Sequence, residues 1–251
     1  MYHDLAGAEE SERIGFPGPL AARYKLTPEH FEAHLDGIES LGRTVGLWDP
    51  GADGWPEVAI TFDDGGASAP RAAEALERRG WRGHFFVTTG RLGTPGFMTG
   101  EQVRDLHARG HAIGGHSHNH PTYFGRLPRA EQLDEWSTSL GVLTDLLGAA
   151  PYLASVPGGF LTADAIATAS EAGYRALMTS EPTARPLREQ AIVVHGRYTI
   201  WATTSVRQAA GYAGGSRIAR GRLWTEWRAK QAIKRTSPRV FEAARRLRAR
   251  R

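Results

Sequence analysis

Short apolar runs rich in β-branched and aromatic residues alternate with segments of helical periodicity along this chain. The strand candidates cover residues 58–62, 84–88, 112–114, 152–156, 174–178 and 192–194. The helix candidates between them cover residues 70–79, 99–109, 129–147 and 163–171. Strands that alternate with helices pair as parallel neighbours, because each helix returns the chain to the start of the next strand. The pattern therefore predicts an α/β fold whose parallel sheet is open or closed into a barrel.

The composition narrows the chemistry that such a fold can carry. At 251 residues, the chain can bury a sizeable core as one large domain or two small ones. It has no cysteine, so any metal must be held by His, Asp or Glu, and a cysteine nucleophile is excluded. The first 14 residues are polar and acidic, and no run approaches the ~18 apolar residues of a membrane-spanning helix. We therefore expect no signal peptide or transmembrane helix, and a cytoplasmic protein.

The net charge of +4 is unevenly distributed. Residues 216–251 contain 13 Lys and Arg against 2 acidic residues, whereas the rest of the chain is mildly acidic. We therefore separate a folded domain, residues 1–215, from a basic and helical tail, residues 216–251. A solvated terminal helix is the simplest interpretation of the tail, and an anionic membrane surface is the alternative partner. We expect no specific nucleic-acid binding.

Two polar clusters directly follow strand candidates. Thr61-Phe62-Asp63-Asp64-Gly65 ends the first strand, and His116-Ser117-His118-Asn119-His120-Pro121 follows the third. In parallel α/β folds, functional groups gather beyond the carboxyl ends of strands, so the two clusters are expected to share one site. His116 and His120 are four residues apart, which on a helical turn places both imidazoles within reach of one metal ion. The alternative is a pair of solvated turns whose Asp and His residues have only local roles.

One carboxylate and two imidazoles make a ligand set that leaves open positions for water and substrate, as metal-assisted hydrolysis requires. The neighbouring carboxylate of the Asp pair can accept the proton that the attacking water loses. Taken together, the two clusters predict a hydrolytic metal site.

These two segments resemble the first two motifs of the polysaccharide deacetylase family, the NodB-homology domain of carbohydrate esterase family 4. The resemblance extends over residues 58–182 and includes Phe85-Phe86-Val87 and Gly110-His111. It implies a distorted (β/α) barrel of about seven strands and a catalytic domain over residues 1–215. It also implies a hydrolase that removes N-acetyl groups from an N-acetylhexosamine in a glycan or glycan precursor, so the expected partner is a carbohydrate.

The resemblance also assigns roles within the two clusters. It implies that Asp64, His116 and His120 hold the metal, and that Asp63 is the general base. The metal would be zinc, or another divalent transition metal such as Co²⁺ or Ni²⁺.

The third motif departs from the family pattern. Where the family has Arg-x-Pro-Tyr/Phe-Gly, this chain has Ser155-Val156-Pro157-Gly158-Gly159. The resemblance implies that Pro157, Gly158 and Gly159 line the substrate site, with the Gly158 N–H facing the oxyanion. Ser155 replaces the arginine that flanks the base. Either Asp63 loses electrostatic support, or another cation occupies that position.

The later motifs depart further. The family's fourth motif carries Asp and Trp, whereas this chain has Met178-Thr179-Ser180-Glu181-Pro182 in that place. The Thr-Ser-Glu-Pro version resembles that of a bacterial branch of the family associated with exopolysaccharide biosynthesis. The fifth motif offers a histidine as general acid, and His195 after Ile192-Val193-Val194 fits that position. A histidine that only caps the strand near Arg197 is the alternative, and His111 and His118 are further candidates for the acid.

Two other functions stay open at this point. The same metal site could act on a small amide, a ureide or an O-acetyl ester, since the third and fourth motifs are altered. A carbohydrate-binding homologue without turnover is the second alternative. The retained Asp63 argues against it, because a binding module has no need of a base.

Overall fold

The computed structural model describes residues 1–49, 56–159, 161–184, 186–189 and 191–236. One sheet is built from seven strands: β1 (Thr61–Phe62), β2 (His84–Val87), β3 (Ala112–Gly115), β4 (Leu153–Ser155), β5 (Ala176–Met178), β6 (Leu187–Glu189) and β7 (Ile192–His195). Their order is β1-β2-β3-β4-β5-β7-β6. All neighbours are parallel except β6, which pairs antiparallel with β7. This curled sheet confirms the predicted α/β fold of the distorted-barrel type.

Eight α-helices lie in the described part of the chain: α1 (Pro19–Ala22), α2 (Pro28–Glu39), α3 (Ala69–Glu77), α4 (Gly100–Ala108), α5 (Arg129–Leu147), α6 (Ala163–Ala172), α7 (Val206–Ala213) and α8 (Arg217–Thr236). Short 3₁₀ helices cover Thr89–Arg91, Phe124–Arg126 and Pro157–Gly159. The four helices predicted between strands correspond to α3 to α6. The structure places α5 at the predicted bounds, and Gly148 ends it in the left-handed conformation.

The sequence pattern did not reveal α2, α7 or β6. Both helices have local start signals: the Thr27 side chain accepts a hydrogen bond from the His30 N–H at the start of α2, and Ser205 forms a capping box with Gln208 in α7. The two helices pack against each other. All three residues of β6 are exposed, so this edge strand carries no apolar pattern.

Residues from the beginning of the chain close the gap between β1 and the segment after β7. The Tyr2 N–H donates to the Thr61 carbonyl (2.8 Å), and the Tyr2 carbonyl accepts from the Asp63 N–H (3.1 Å). Met1 bonds to the segment after β7: its amino group donates to the Tyr198 carbonyl (2.9 Å), and its carbonyl accepts from the Ile200 N–H (2.9 Å). This arrangement carries His3 alongside the carboxyl end of β1.

Buried apolar side chains pack against the sheet in three clusters, and aromatic pairs stand at the centre of two of them. Phe62 and Phe85 stack on adjacent strands β1 and β2, with ring centroids 4.8 Å apart. Under β4, β5 and β7, the fully buried Trp136 of α5 packs edge-on against Tyr174. Truncating a buried aromatic such as Trp136 to Ala typically lowers the free energy of unfolding by about 3–5 kcal/mol. These clusters therefore stabilise the sheet that positions the strand ends.

The described part of the tail is helical, since α8 runs from Arg217 to Thr236 and buries Leu223. Residues 237–251 of the predicted tail lie outside the described residues. The division at residue 215 stays a prediction. None of the helices in the described ranges combines the length and the apolar character needed to cross a bilayer.

Candidate active site

The structure brings together Asp64, His116 and His120 at the carboxyl ends of the strands. Asp64 follows β1 and the histidines follow β3, and only β2 separates these strands in the sheet. The Nε2 atoms of His116 and His120 lie 3.3 and 3.4 Å from Asp64 Oδ1. Bonds of 2.0–2.1 Å at tetrahedral angles place donor atoms about 3.3–3.4 Å apart, so the spacing fits one cation. The three residues form the one group of this kind found within the described residues.

The backbone of this cluster is left-handed at three non-glycine residues. The φ angles are 77° for Asp64, 59° for Ser117 and 57° for His120. Residues 116–120 are therefore a loop, and the predicted helical turn for His116 and His120 is wrong. Such conformations cost of order 1–3 kcal/mol each and persist where surrounding contacts enforce them, often at functional sites.

Hydrogen bonding selects the tautomer of His116 that a metal requires. Its Nδ1 lies 2.9 Å from the carbonyl oxygen of Ser155. A carbonyl can only accept, so Nδ1 carries a proton and Nε2 is the ring atom that faces Asp64. Burial lowers the pKa of His120 to about 4, which keeps the His120 imidazole neutral. For His116, burial alone would lower the pKa, but the charges of Asp63 and Asp64 raise it.

Asp63 lies beside the cluster but is paired with a cation. The Arg197 guanidinium donates to both of its oxygens, from Nη1 to Oδ1 (2.7 Å) and from Nη2 to Oδ2 (2.8 Å). Burial alone would raise the pKa of Asp63, but the Arg197 charge outweighs it and holds this pKa far below its usual range. Its Oδ2 lies 4.0 Å from His116 Nε2. Asp63 is therefore an ionised carboxylate next to the three candidate ligand atoms of Asp64, His116 and His120.

Arg197 satisfies all five of its N–H donors in this environment. Besides the two bonds to Asp63, it donates to the Thr61 hydroxyl (3.2 Å), the Ser155 hydroxyl (2.6 Å) and the Thr179 carbonyl (3.2 Å). The Ser155 hydroxyl in turn donates to Asp63 (3.1 Å). Of the two outcomes left open for Ser155, the structure shows the second: another cation occupies the position of the missing arginine.

The loop after β4 carries the predicted oxyanion residues. Gly158 and Gly159 have φ angles of 61° and 65°, a region that favours glycine, and a side chain at Gly159 would overlap the Ser180 hydroxyl. Pro157 has no N–H to offer, and the Gly159 N–H donates to the Val156 carbonyl (3.2 Å). Gly158 is exposed at the turn.

The histidines predicted as acids take different positions. His195 at the end of β7 packs edge-on against Trp48, and its Nδ1 lies 2.7 Å from the Gly196 carbonyl. His118 points to the Thr89 hydroxyl (3.0 Å). His111 precedes β3 and bonds to Glu77 (3.0 Å), so it lies at the amino end of that strand, away from the carboxyl ends where the site forms.

His3 is a residue that sequence analysis missed. Its Nδ1 is buried and has no hydrogen-bond partner among the described residues, and its ring packs 4.5 Å from that of Tyr24. Burial lowers the pKa of His3, while the charges of Asp64 and Asp63 act in the opposite direction. The backbone pairing of Tyr2 with Thr61 and Asp63 brings this imidazole to the carboxyl end of β1. The signal in the sequence is only Tyr2-His3-Asp4-Leu5 near the start, which has no motif to identify it.

The chain is similar in sequence to proteins of one known family. The sequence model of the family described as Polysaccharide deacetylase matches residues 51–177. The YxkH protein of Bacillus subtilis (strain 168), whose name places it with polysaccharide deacetylases, is 27% identical over 128 residues. That alignment covers 51% of this chain and 46% of YxkH, so the chain matches less than half the length of this relative.

Solved structures share the fold. BC0361, a polysaccharide deacetylase from Bacillus cereus, superposes with a TM-score of 0.71 at 17% identity, covering 85% of this chain and 67% of that one. A de-N-acetylase from Aggregatibacter actinomycetemcomitans gives a TM-score of 0.69 at 18% identity, covering 84% of this chain and 97% of that one. At such identities, the similarity shows the fold alone.

Proposed function

The chain belongs to the polysaccharide deacetylase family, and from this membership we propose that it is a metal-dependent hydrolase of N-acetyl groups. The substrate we propose is an N-acetylhexosamine in a glycan or glycan precursor, in exopolysaccharide or cell-envelope carbohydrate metabolism. One observation carries the proposal: a separate ionised carboxylate, Asp63, stands beside three metal-ligand atoms. The name of the de-N-acetylase with a similar fold supports the choice of an N-acetyl bond.

Asp64, His116 and His120 would hold the cation, because their donor atoms already have the separations that one ion needs. Zinc suits a set of two imidazoles and one carboxylate, and Co²⁺ or Ni²⁺ are the alternatives. When bound, such a cation supplies Lewis acidity that lowers the pKa of water and polarises a carbonyl. The neutral His120 offers a lone pair without prior loss of a proton, and the Ser155 carbonyl holds one His116 proton on Nδ1, so that Nε2 of His116 would face the cation.

In this proposal, Asp63 accepts the proton of the attacking water. Its pairing with Arg197 keeps it ionised at neutral pH, and the two-point contact orients the carboxylate. Gly158 would donate its N–H to the developing oxyanion, because Pro157 has no N–H and that of Gly159 is already bonded to Val156.

Two histidines compete for the role of general acid. His195 has the position implied by the fifth motif, but its ring packs on Trp48. His3 follows Tyr2, whose backbone pairs with Thr61 and Asp63, and its buried Nδ1 has no partner within the described residues. A proton donor must reach the leaving nitrogen close to the reacting centre, and we propose His3 for this role with His195 as the alternative.

The substrate proposal is tested by acetate release from N-acetylglucosamine oligomers, measured beside O-acetyl esters and small amides with the same metal-loaded protein. We expect acetate from the oligomers, and loss of this activity after chelation, with recovery on adding Zn²⁺. Turnover of only the small amides or esters would replace the glycan with the alternative substrate class. Oligomer binding without acetate release would support the carbohydrate-binding alternative.

We further propose that the basic tail contacts an anionic membrane surface. The exposed side of α8 presents Ile218, which is 87% exposed, and Trp224 with the Arg228 guanidinium over its ring. Tryptophan and arginine favour the bilayer interface, and anionic lipids are concentrated on the cytoplasmic leaflet. A peripheral, cytoplasmic location matches this surface. Co-sedimentation with anionic but not zwitterionic vesicles is expected, whereas equal behaviour with both would favour a solvated helix.

A further inference from the structure

We propose that Glu135 of α5 is a positioning residue that holds the ligand loop, residues His116–His120, in the conformation that binds the metal. The inference rests on the proposed function, since it requires that Asp64, His116 and His120 bind a cation. Glu135 does not touch the three ligand atoms in this role. It acts through the backbone between the two histidines.

The Glu135 carboxylate receives three hydrogen bonds from the middle of the ligand loop. Its Oε2 accepts from the backbone N–H groups of His118 (2.9 Å) and Asn119 (2.8 Å). Its Oε1 accepts from the Asn119 side chain, Nδ2 (2.8 Å). Glu135 is only 9% exposed, so these charge-assisted bonds are shielded from water. Two successive N–H groups aimed at one oxygen form an anion-binding concavity, which the carboxylate fills.

The ligand loop has a strained backbone conformation that needs support from outside the loop. Ser117 and His120, on either side of the bonded amides, both have positive φ. Non-glycine residues populate that region rarely, so a free loop would relax and move the His120 ring away from Asp64. A further bond from the His120 N–H to the Ser117 hydroxyl (3.0 Å) stays within the loop and cannot fix it relative to the sheet.

The ligand loop is also held from the side of β2. Gly90 donates its N–H to the His118 carbonyl (2.8 Å), and the Thr89 hydroxyl lies 3.0 Å from His118 Nδ1. The 3₁₀ helix at Thr89–Arg91 therefore binds the His118 carbonyl, whereas Glu135 binds the N–H groups of His118 and Asn119. Of these contacts, Glu135 supplies the charged one. This arrangement also explains why His118 is turned away from the metal ligands.

The experiment measures the Zn²⁺ affinity of the metal-free full-length protein by competition with a chromophoric chelator. Glu135→Gln keeps the size of the side chain but replaces one acceptor oxygen with an N–H₂ group, which cannot receive the loop donors. We expect about a 10–100-fold weaker Zn²⁺ affinity, the usual effect of losing a group that orients metal ligands. Asp134→Asn is the matched control: it removes the same charge from an exposed neighbour on α5 and should leave the affinity unchanged.

A second variant and a second readout keep the test independent of folding. Asn119→Ala removes only the Nδ2 bond and should weaken Zn²⁺ affinity by less than Glu135→Gln does. Amide hydrogen exchange at residues 117–119 of the metal-free protein should accelerate in Glu135→Gln but not in Asp134→Asn. A Glu135→Gln protein with wild-type Zn²⁺ affinity and exchange would overturn the inference alone. A wild-type protein that binds no Zn²⁺, Co²⁺ or Ni²⁺ would overturn the proposed function itself.

Discussion

The two sides of the site are built in different ways. The metal-ligand side, with Asp64 after β1 and the histidines after β3, uses short contiguous motifs whose residue types follow the family pattern. The opposite side, formed by the loops after β4, β5 and β7, departs from that pattern. There, Ser155 stands where the family has arginine, and Arg197, 134 residues after Asp63 in the sequence, supplies the charge.

The difference follows from what each side must do. Metal ligands must meet bond lengths within about 0.2 Å, so a substituted ligand has no equivalent elsewhere in the chain. A guanidinium needs only to reach the carboxylate that it pairs with, and its long side chain can come from any strand end nearby. Local sequence motifs therefore predict the proposed metal ligands. The guanidinium that pairs with the proposed base can be identified only from the three-dimensional structure.

The largest effect is expected at the residue where the two sides meet. Asp63→Asn removes the proposed base, so kcat should fall by about 10²–10⁴-fold. The metal content should stay close to that of the wild type, because Asp64, His116 and His120 remain. Acetate release and elemental analysis of the same preparation measure the two quantities. Wild-type turnover in this variant would mean that the base lies elsewhere.

A smaller effect is expected for the general acid, and it distinguishes the two histidines. His3→Gln should reduce kcat about 10²-fold, since the pairing of Tyr2 with Thr61 and Asp63 brings His3 to the strand end that carries the site. His195→Gln should change kcat by less than a factor of about three, because that ring packs on Trp48. Steady-state kinetics on one glycan substrate compares them. The reverse order would assign the acid to the fifth-motif histidine.

The support given by Arg197 should produce a further, smaller effect. Arg197→Lys keeps the charge but loses the two-point contact with Asp63 and the bonds to Ser155 and Thr179, so we expect kcat to fall about 10-fold. The metal content should not change. Arg129→Lys, in the exposed pair with Glu171, is the control and should have no measurable effect on activity. If Arg197→Lys equals the wild type, the cation does not orient the base.

The sequence allowed the fold class and the clustering of Asp64, His116 and His120 to be predicted, because both depend on local patterns. Period counting located six of the strands and four helices, and the Asp63-Asp64 and His116–His120 motifs marked two adjacent strand ends. Arg197 was not predicted as the partner of Asp63, since 134 residues separate them and only the curled sheet brings them together. His3 was missed for a similar reason: its position depends on the pairing of Tyr2 with β1.

A buried histidine away from the site should make the stability of the sheet depend on pH. His84, at the start of β2, is fully buried, and its Nε2 accepts a hydrogen bond from the backbone N–H of Trp48 (3.1 Å). Burial lowers the pKa of His84 to about 4. The unfolded chain, with a histidine pKa of about 6.5, binds more protons between these values, so stability falls as pH falls from 6.5 towards 4. By pH 5, this one group should reduce the unfolding free energy by about 2 kcal/mol relative to pH 7. Urea unfolding of the metal-free protein should show a weaker pH dependence in His84→Gln than in the exposed control His107→Gln. Identical pH dependence in both variants would show that acid destabilises the protein through other groups, those of the site included.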